Sequence, residues 1–267
     1  MKKLLLGASA TLLMIASAVA ADLPVKARPM VVEPVWSWTG FYVGANIGYG
    51  WGRPSGDLVA NSGGIAIPPA IAGGTIPTAF GLQSRGVLGG GQLGYNWQIN
   101  SWVFGLEADY QFADIRRSVA IANPGAGPLL PTNSVASSDL NWFGTFRGRL
   151  GYTWNQFLLY GTGGLAYGRF QDNVTVATVP APPLGVGSST STRVGWAAGA
   201  GIEWSLAAAW SVKAEYLHVD LGSTVVHASF APGSPTDFLD YRFRHSDEIV
   251  RVGVNYRWGL GPVVAKY

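Results

Sequence analysis

Nine ionisable side chains fall in alternating rows whose other members are mostly small: Glu107, Asp109, Arg147, Arg149, Glu203, Lys213, Glu215, Arg251 and Arg257. A period of two puts such residues on one face of a β-strand. Two kinds of chemistry suit the set. One is an ion-paired cluster, since a carboxylate in a narrow interior must be matched by a base. The other is a charged pathway or gate for ions or small solutes. Paired carboxylates also serve glycoside hydrolysis, but bases surround these and no cleft is indicated. Flanking aromatics suggest the pairs. Glu107 lies five residues after Trp102 and Arg149 five before Trp154, while Asp109 and Arg147 each lie seven away from the same markers. Glu215 and Arg251 lie five and seven residues from Trp210 and Trp258.

Three further motifs could carry chemistry. His227-x-Ser229 resembles the His-x-Ser of barrel-type lipid A deacylases, in which a histidine-activated serine attacks an ester. That chemistry needs a strand facing lipid and a carboxylate beside the imidazole. Here His227 falls in an expected loop, with no Glu shortly after it. His245-Ser246-Asp247 also lies near a loop boundary, and both motifs read as solvated loop residues. His218-x-Asp220 is a weak metal pair in a chain with three histidines and no cysteine, and reads as rim polarity. Gly161-Thr162-Gly163-Gly164 lacks the Lys-Ser/Thr of a phosphate cradle. The candidate catalytic, cofactor and metal sites are therefore none.

The elements that must position the charged residues are strands. Residues 39–51 read T-G-F-Y-V-G-A-N-I-G-Y-G-W, with Phe41, Val43, Ala45, Ile47, Tyr49 and Trp51 in one row and Tyr42, Gly44, Asn46, Gly48 and Gly50 in the other. Similar alternation returns at 86–97, 102–112, 140–154, 157–170, 193–204, from 210, and at 249–258, with the faces of 157–170 less distinct. Connections alternate: 53–85, 113–139, 171–192 and 222–248 are long, and those near 98–101, 155–156 and 205–209 are tight. Residues 59–80, with Pro68-Pro69 and Gly73-Gly74, are expected to lack regular structure. The expectation is an all-β, eight-stranded antiparallel up-and-down transmembrane barrel with short periplasmic turns and four long extracellular loops. Trp97, Trp102, Trp154, Phe157, Trp204, Trp210 and Trp258 then form a periplasmic aromatic girdle, because an indole has an apolar body and an N–H that reaches water. A soluble lipocalin-like barrel would carry Lys and Glu on its outer face. Here the less apolar face is mostly Gly, Thr, Asn and Ser, which suit a narrow interior.

Composition agrees. Charged residues are 12% of the 267, and no later stretch offers the run of about twenty apolar residues that a transmembrane helix needs. Lys2-Lys3, the apolar stretch from Leu4 to Ile15 and Ala18-Val19-Ala20 form a secretory signal peptide over 1–20, cleaved after Ala20 or Ala21. Removing Lys2 and Lys3 takes the net charge from +3 to +1, which argues against a nucleic-acid partner. With no cysteine, the chain has no disulfide, thiolate metal site or cysteine nucleophile. Residues 21–35 are Pro-rich and read as an extended periplasmic segment, 36–258 as the barrel, and 259–267 as a short tail.

The motifs W-T-G-F-Y-V-G-A-N-I-G-Y-G-W (38–51), L-G-G-G-Q-L-G-Y-N-W (88–97), F-R-G-R-L-G-Y (146–152), W-S-V-K-A-E-Y (210–216) and V-G-V-N-Y-R-W (252–258) resemble alphaproteobacterial outer-membrane immunogenic proteins. These porin-family proteins have an OmpA-like eight-stranded transmembrane domain, and A-D-L-P (21–24) with G-P-V-V-A-K-Y (261–267) points to the rhizobial branch. The resemblance implies the cell outer membrane, periplasmic termini, envelope integrity, surface antigenicity and sometimes small-solute passage. The leading expectation is a non-enzymatic structural and surface protein with an ion-paired, closed interior. A narrow porin is the alternative, and a lipid A-modifying enzyme the third reading. Expected partners are outer-membrane lipid, lipopolysaccharide and the barrel-assembly machinery, which would read Trp258 or Tyr267. No cofactor and no nucleic acid are expected, and the chain is read as a monomer.

Overall fold

A strand with one apolar row and one small or polar row has two paired edges to satisfy and two unlike surroundings to face, and closing the sheet on itself does both. The computed structural model describes residues 37–53, 55–63, 67–74, 76–123, 132–178, 183–207, 209–230 and 237–258. The expected signal peptide (1–20), the Pro-rich segment (21–35) and the tail (259–267, including Tyr267) lie outside them. The elements are β1 (Gly40–Gly52), β2 (Ser55–Asn61), α1 (Ile67–Ala72), β3 (Ala79–Gly81), β4 (Gln83–Ile99), β5 (Trp102–Asn123), β6 (Thr132–Trp154), β7 (Phe157–Thr178), β8 (Pro183–Ser205), β9 (Trp210–Phe230) and β10 (Phe238–Trp258).

Among the described residues, ten strand segments stand where eight strands are expected. The closed circuit runs β1-β4-β5-β6-β7-β8-β9-β10 and back to β1. Beyond Gly52, β2 takes over from β1 along β10, pairing Asp57 with Arg242, and β3 extends β4 along β2. The tight turns are as expected. Asn100 and Asn155, both at φ 54°, adopt the left-handed conformation that a two-residue hairpin needs and that Asn tolerates.

The long loops are corrected. Strands β5 to β10 are 21 to 23 residues long, about twice the 9–11 residues that cross a hydrocarbon core. Much of 113–139, 171–192 and 222–248 is therefore strand, and 59–80 contains the end of β2, α1 and the start of β3. Past the apolar band the outer row meets water, so Ser, Thr and Asn replace the aromatics that mark a lipid face. The ladder continues after that signal has stopped.

Outward rows carry the exposed Phe41, Ile47, Leu93, Leu106, Leu159, Leu165 and Val252. All seven girdle aromatics are exposed at the turn end, where Phe157 stacks on Trp204 with centroids 5.9 Å apart and an interplanar angle of 14°. A second aromatic row, including Tyr110, Trp142 and Tyr167, closes the far edge of the band, with Tyr110 stacked on Trp142 at 5.6 Å. On β7 the two faces separate fully: Leu158, Tyr160, Ala166 and Phe170 are buried, while Phe157, Leu159 and Leu165 are exposed.

The interior is layered, with apolar levels on either side of each polar one. Trp38, Val103, Leu158 and Tyr160 fill the turn end. A charged layer follows, then an apolar one that includes Ile115, Phe143, Phe170, Leu217 and Ile249. Next comes a second polar layer. Outermost is an apolar cluster with Val174, Val226, Leu239 and Phe243, capped by Ile67 and Ala70 of α1. On β10 the inward residues from the turn end are Asn255, Gly253, Arg251, Ile249, Asp247, His245 and Phe243.

Candidate functional site

Eight of the nine charged residues singled out from sequence converge in the first polar layer, projected by β5, β6, β8, β9 and β10. Glu107, Asp109, Glu203 and Glu215 provide four negative charges, and Arg147, Arg149, Lys213 and Arg251 four positive ones, all buried. Arg147 is the hub. It reaches Glu107 at 2.6 Å, Asp109 at 2.9 Å and Glu215 at 3.1 Å. Arg251 donates to Glu215 at 2.6 Å and to Asp109 at 3.0 Å. Lys213 Nζ lies 3.0 Å from Glu107 Oε2, and Arg149 donates to Glu203 Oε2 at 2.8 Å. Burial is tolerable because each charge meets an opposite one with hydrogen-bond geometry.

Neutral groups take up remaining lone pairs. Tyr42 Oη donates to Glu107 Oε2 at 2.8 Å and accepts from Arg149 at 2.9 Å. Tyr160 Oη donates to Glu215 at 3.1 Å, and the Arg149 guanidinium lies 3.9 Å from the Tyr160 ring centroid, a cation–π contact. Ser211 and Asn255 donate to Glu203 Oε1 at 2.6 and 2.8 Å. Both tyrosines face glycine across the ladder, Tyr42 opposite Gly94 and Tyr160 opposite Gly201. A Cβ at Gly94 would overlap the Tyr42 phenol, so glycine is what lets the ring lie across the barrel to the acid.

Counting from aromatics mis-set one register. Glu107 is the ladder partner of Arg147, and Trp102 pairs with Tyr152 rather than Trp154. Strands β5 and β6 share no tight turn, so the stagger of the tilted barrel, not the marker count, sets their alignment. The expected pairs survive as diagonals: Arg149 to Glu107 at 3.5 Å and Arg147 to Asp109. Glu215 and Arg251 are direct partners. Arg257 is the exception. It lies at the turn end, 5.3 Å from the Trp38 ring centroid. Tyr160 and Ser211 were not singled out from sequence; alternation placed Tyr160 only on a strand with unclear faces.

The second polar layer was missed altogether. Arg117 donates to Asp247 Oδ2 and lies 3.4 Å from His245 Nδ1. The ring's Nε2 lies 3.0 Å from Thr224 Oγ1 and 3.5 Å from Asp172 Oδ2. The imidazole stacks on Phe170 at 3.9 Å. Neither Asp172 oxygen accepts a hydrogen bond among the described residues. His245 and Asp247, read from sequence as solvated, are therefore buried. They were misread because β10 continues inward-outward alternation where a loop was expected.

His227 is corrected too. It sits on β9, with Nδ1 2.6 Å from Asp240 Oδ1, so a carboxylate does face it, from the adjacent strand. Its ring stacks on Phe238, and among the described residues no hydrogen bond joins it to Ser229. His218 pairs with Glu248 at 2.8 Å and packs against Trp196 at the far aromatic row. Among the described residues, no three His, Cys, Asp or Glu side chains are arranged to hold a metal ion.

Comparison with known proteins gives a consistent picture. Residues 8–258 match the outer membrane protein beta-barrel domain. The sequence is similar to the 31 kDa outer-membrane immunogenic protein of Brucella melitensis, 35% identical over 269 residues that span 97% of this chain and 100% of that protein. It is 28% identical over 201 residues to a 22 kDa outer membrane protein of Rhizobium leguminosarum, covering 74% of this chain and 71% of that one. The outer membrane protein OprG from Pseudomonas aeruginosa has a similar fold, with a TM-score of 0.53 over 85% of this chain and 100% of that chain, at 12% identity.

Proposed function

The chain belongs to the outer-membrane β-barrel family, with alphaproteobacterial relatives and residence in the outer membrane, and from that premise we propose that it is a closed, non-enzymatic barrel serving envelope structure and surface contact. One observation carries this reading: three apolar levels alternate with two polar ones along the axis. A conducting path would have to cross Phe143, Phe170 and Leu217, all buried and apolar. It would also have to separate Arg147 from three acids. Eight strands leave an interior only wide enough for side chains to fill.

Short turns mark the periplasmic end and the strand extensions the outer surface, the arrangement of bacterial outer-membrane barrels. The extensions and α1 then form the surface-contact region. The similar Brucella proteins are named as immunogenic, which supports a surface-exposed role here. Lipopolysaccharide, outer-membrane lipid and the barrel-assembly machinery are the partners in this reading. Conductance in planar bilayers tests it. The refolded protein should leave the membrane at baseline current, and steady, reproducible openings would replace this reading with a narrow porin.

A further inference from the structure

At the outer edge of the apolar band, the outward row changes character on three adjacent strands. The apolar row ends at Trp51 on β1, Val87 on β4 and Phe112 on β5; immediately beyond stand Arg53, Arg85, and Asp114 with Arg116. The register aligns Trp51 with Arg85, Arg85 with Arg116, and Arg116 with Asp139. Two arginines directly opposite each other are unfavourable unless an anion compensates them. Arg116 has turned to Asp114 on its own strand, with Nε 2.7 Å from Oδ1 and Nη2 3.3 Å from Oδ2. The side chains of Arg53 and Arg85 make no hydrogen bond or ion pair with any described residue. Glu248 lines the same depression as both, but it already accepts from Tyr216 at 2.5 Å and contacts His218 at 2.8 Å.

Arg85 also separates two depressions. One, of 520 Å³, is shared with Trp51, Arg53 and Glu248; the other, of 670 Å³, is shared with Asp114, Arg116 and Ser118. Below them lies an apolar wall that includes Tyr49, Val87 and Phe112. The uncompensated guanidinium groups of Arg53 and Arg85, directly above a lipid-facing wall, are complementary to a molecule with a phosphate head and acyl chains. The planar fork of arginine matches phosphate oxygens two at a time.

We propose that Arg53 and Arg85 form a binding site for the phosphate group of an outer-leaflet amphiphile whose chains lie along Tyr49, Val87 and Phe112. The inference rests on the outward orientation adopted above. Free phosphate would have the head without the chains, and a polyanion the charge without the chains, so neither uses the wall.

Trp51, beside Arg85, is a natural reporter. The refolded protein is inserted into phosphatidylcholine vesicles in which either the phosphatidylcholine or an added phosphatidic acid carries brominated chains, and tryptophan quenching is compared with that of W51F. The Trp51 signal should prefer phosphatidic acid, by roughly fivefold per contributing arginine. The R53Q/R85Q variant should lose most of that preference, and R85K should keep much of it. Equal quenching by the two lipids in the wild-type protein would overturn the site, as would an unchanged preference in R53Q/R85Q. Displacement by inorganic phosphate would indicate a free-anion site, and displacement by a sulfated polysaccharide a polyanion site; either overturns the proposal. A heat-modifiable gel shift shows whether each variant is folded. If R53Q/R85Q does not fold, raising salt on the wild-type protein decides, because a headgroup site at the surface is screened and a salt-insensitive preference refutes it. Failure of the wild-type protein to insert at all would instead count against the membrane reading.

Discussion

Replacing Arg147 with Met removes the hub of the buried charge layer while keeping much of its volume. The wild-type layer holds four acids and four bases, so R147M leaves it one positive charge short. The loss is shared. Glu107 keeps Lys213 at 3.0 Å and Arg149 at 3.5 Å, Glu215 keeps Arg251 at 2.6 Å, and Asp109 keeps Arg251 at 3.0 Å. Breaking a buried pair by removing one partner typically destabilises by about 3–5 kcal/mol. Because every acid retains a cation, the expected loss is at the low end, about 3 kcal/mol, or roughly a hundredfold in the folding equilibrium. Urea unfolding of protein refolded into phospholipid vesicles, followed by tryptophan fluorescence, would measure it. Neutralising one of the acids that Arg147 served should restore part of the loss: R147M/D109N should be about 1–2 kcal/mol more stable than R147M, a coupling that contacting residues show. Wild-type stability in R147M, or strict additivity in the double variant, would refute the view that this layer is held by mutual charge compensation.

Two further outcomes follow from neighbouring layers. Phe143 is fully buried in the apolar layer above the charges, so F143A should destabilise by about 3–5 kcal/mol in the same unfolding assay while single-channel recordings stay at baseline, since the layers on either side remain. Gly94→Val should push the Tyr42 phenol off Glu107 and lower stability by about 1–3 kcal/mol through overpacking; a near-neutral G94V in that assay would mean the tyrosine is not held where the ladder puts it.

Much of the wall was legible in the chain itself. Alternation of aromatic and aliphatic residues with Gly, Thr and Asn is a local property, so Phe41 to Trp51 or Trp102 to Phe112 each announce a lipid face and an inner face. Tryptophans beside the tight turns, such as Trp97 and Trp102, mark the turn end for the same reason. The eight residues of the charge network were also visible, because an ionisable side chain in an inward row must meet its opposite.

Who meets whom was decided only by closure of the barrel. Arg117 and Asp247 are 130 residues apart, and Ser84 and Asp247 163 apart. Nothing local to either segment encodes their meeting. Shear between strands that share no turn moved Glu107 from Arg149 to Arg147 as its ladder partner. Closure likewise stacked Phe143, Phe170 and Leu217 into a single apolar level. It also carried the strands past the membrane band, where no lipid face remains to mark them. The sequence alone determined which side of each strand faces lipid, since that depends on a two-residue period. The tertiary structure decided the layers, the partners and the outer arginine row, since those depend on stagger and strand pairing across the whole circumference.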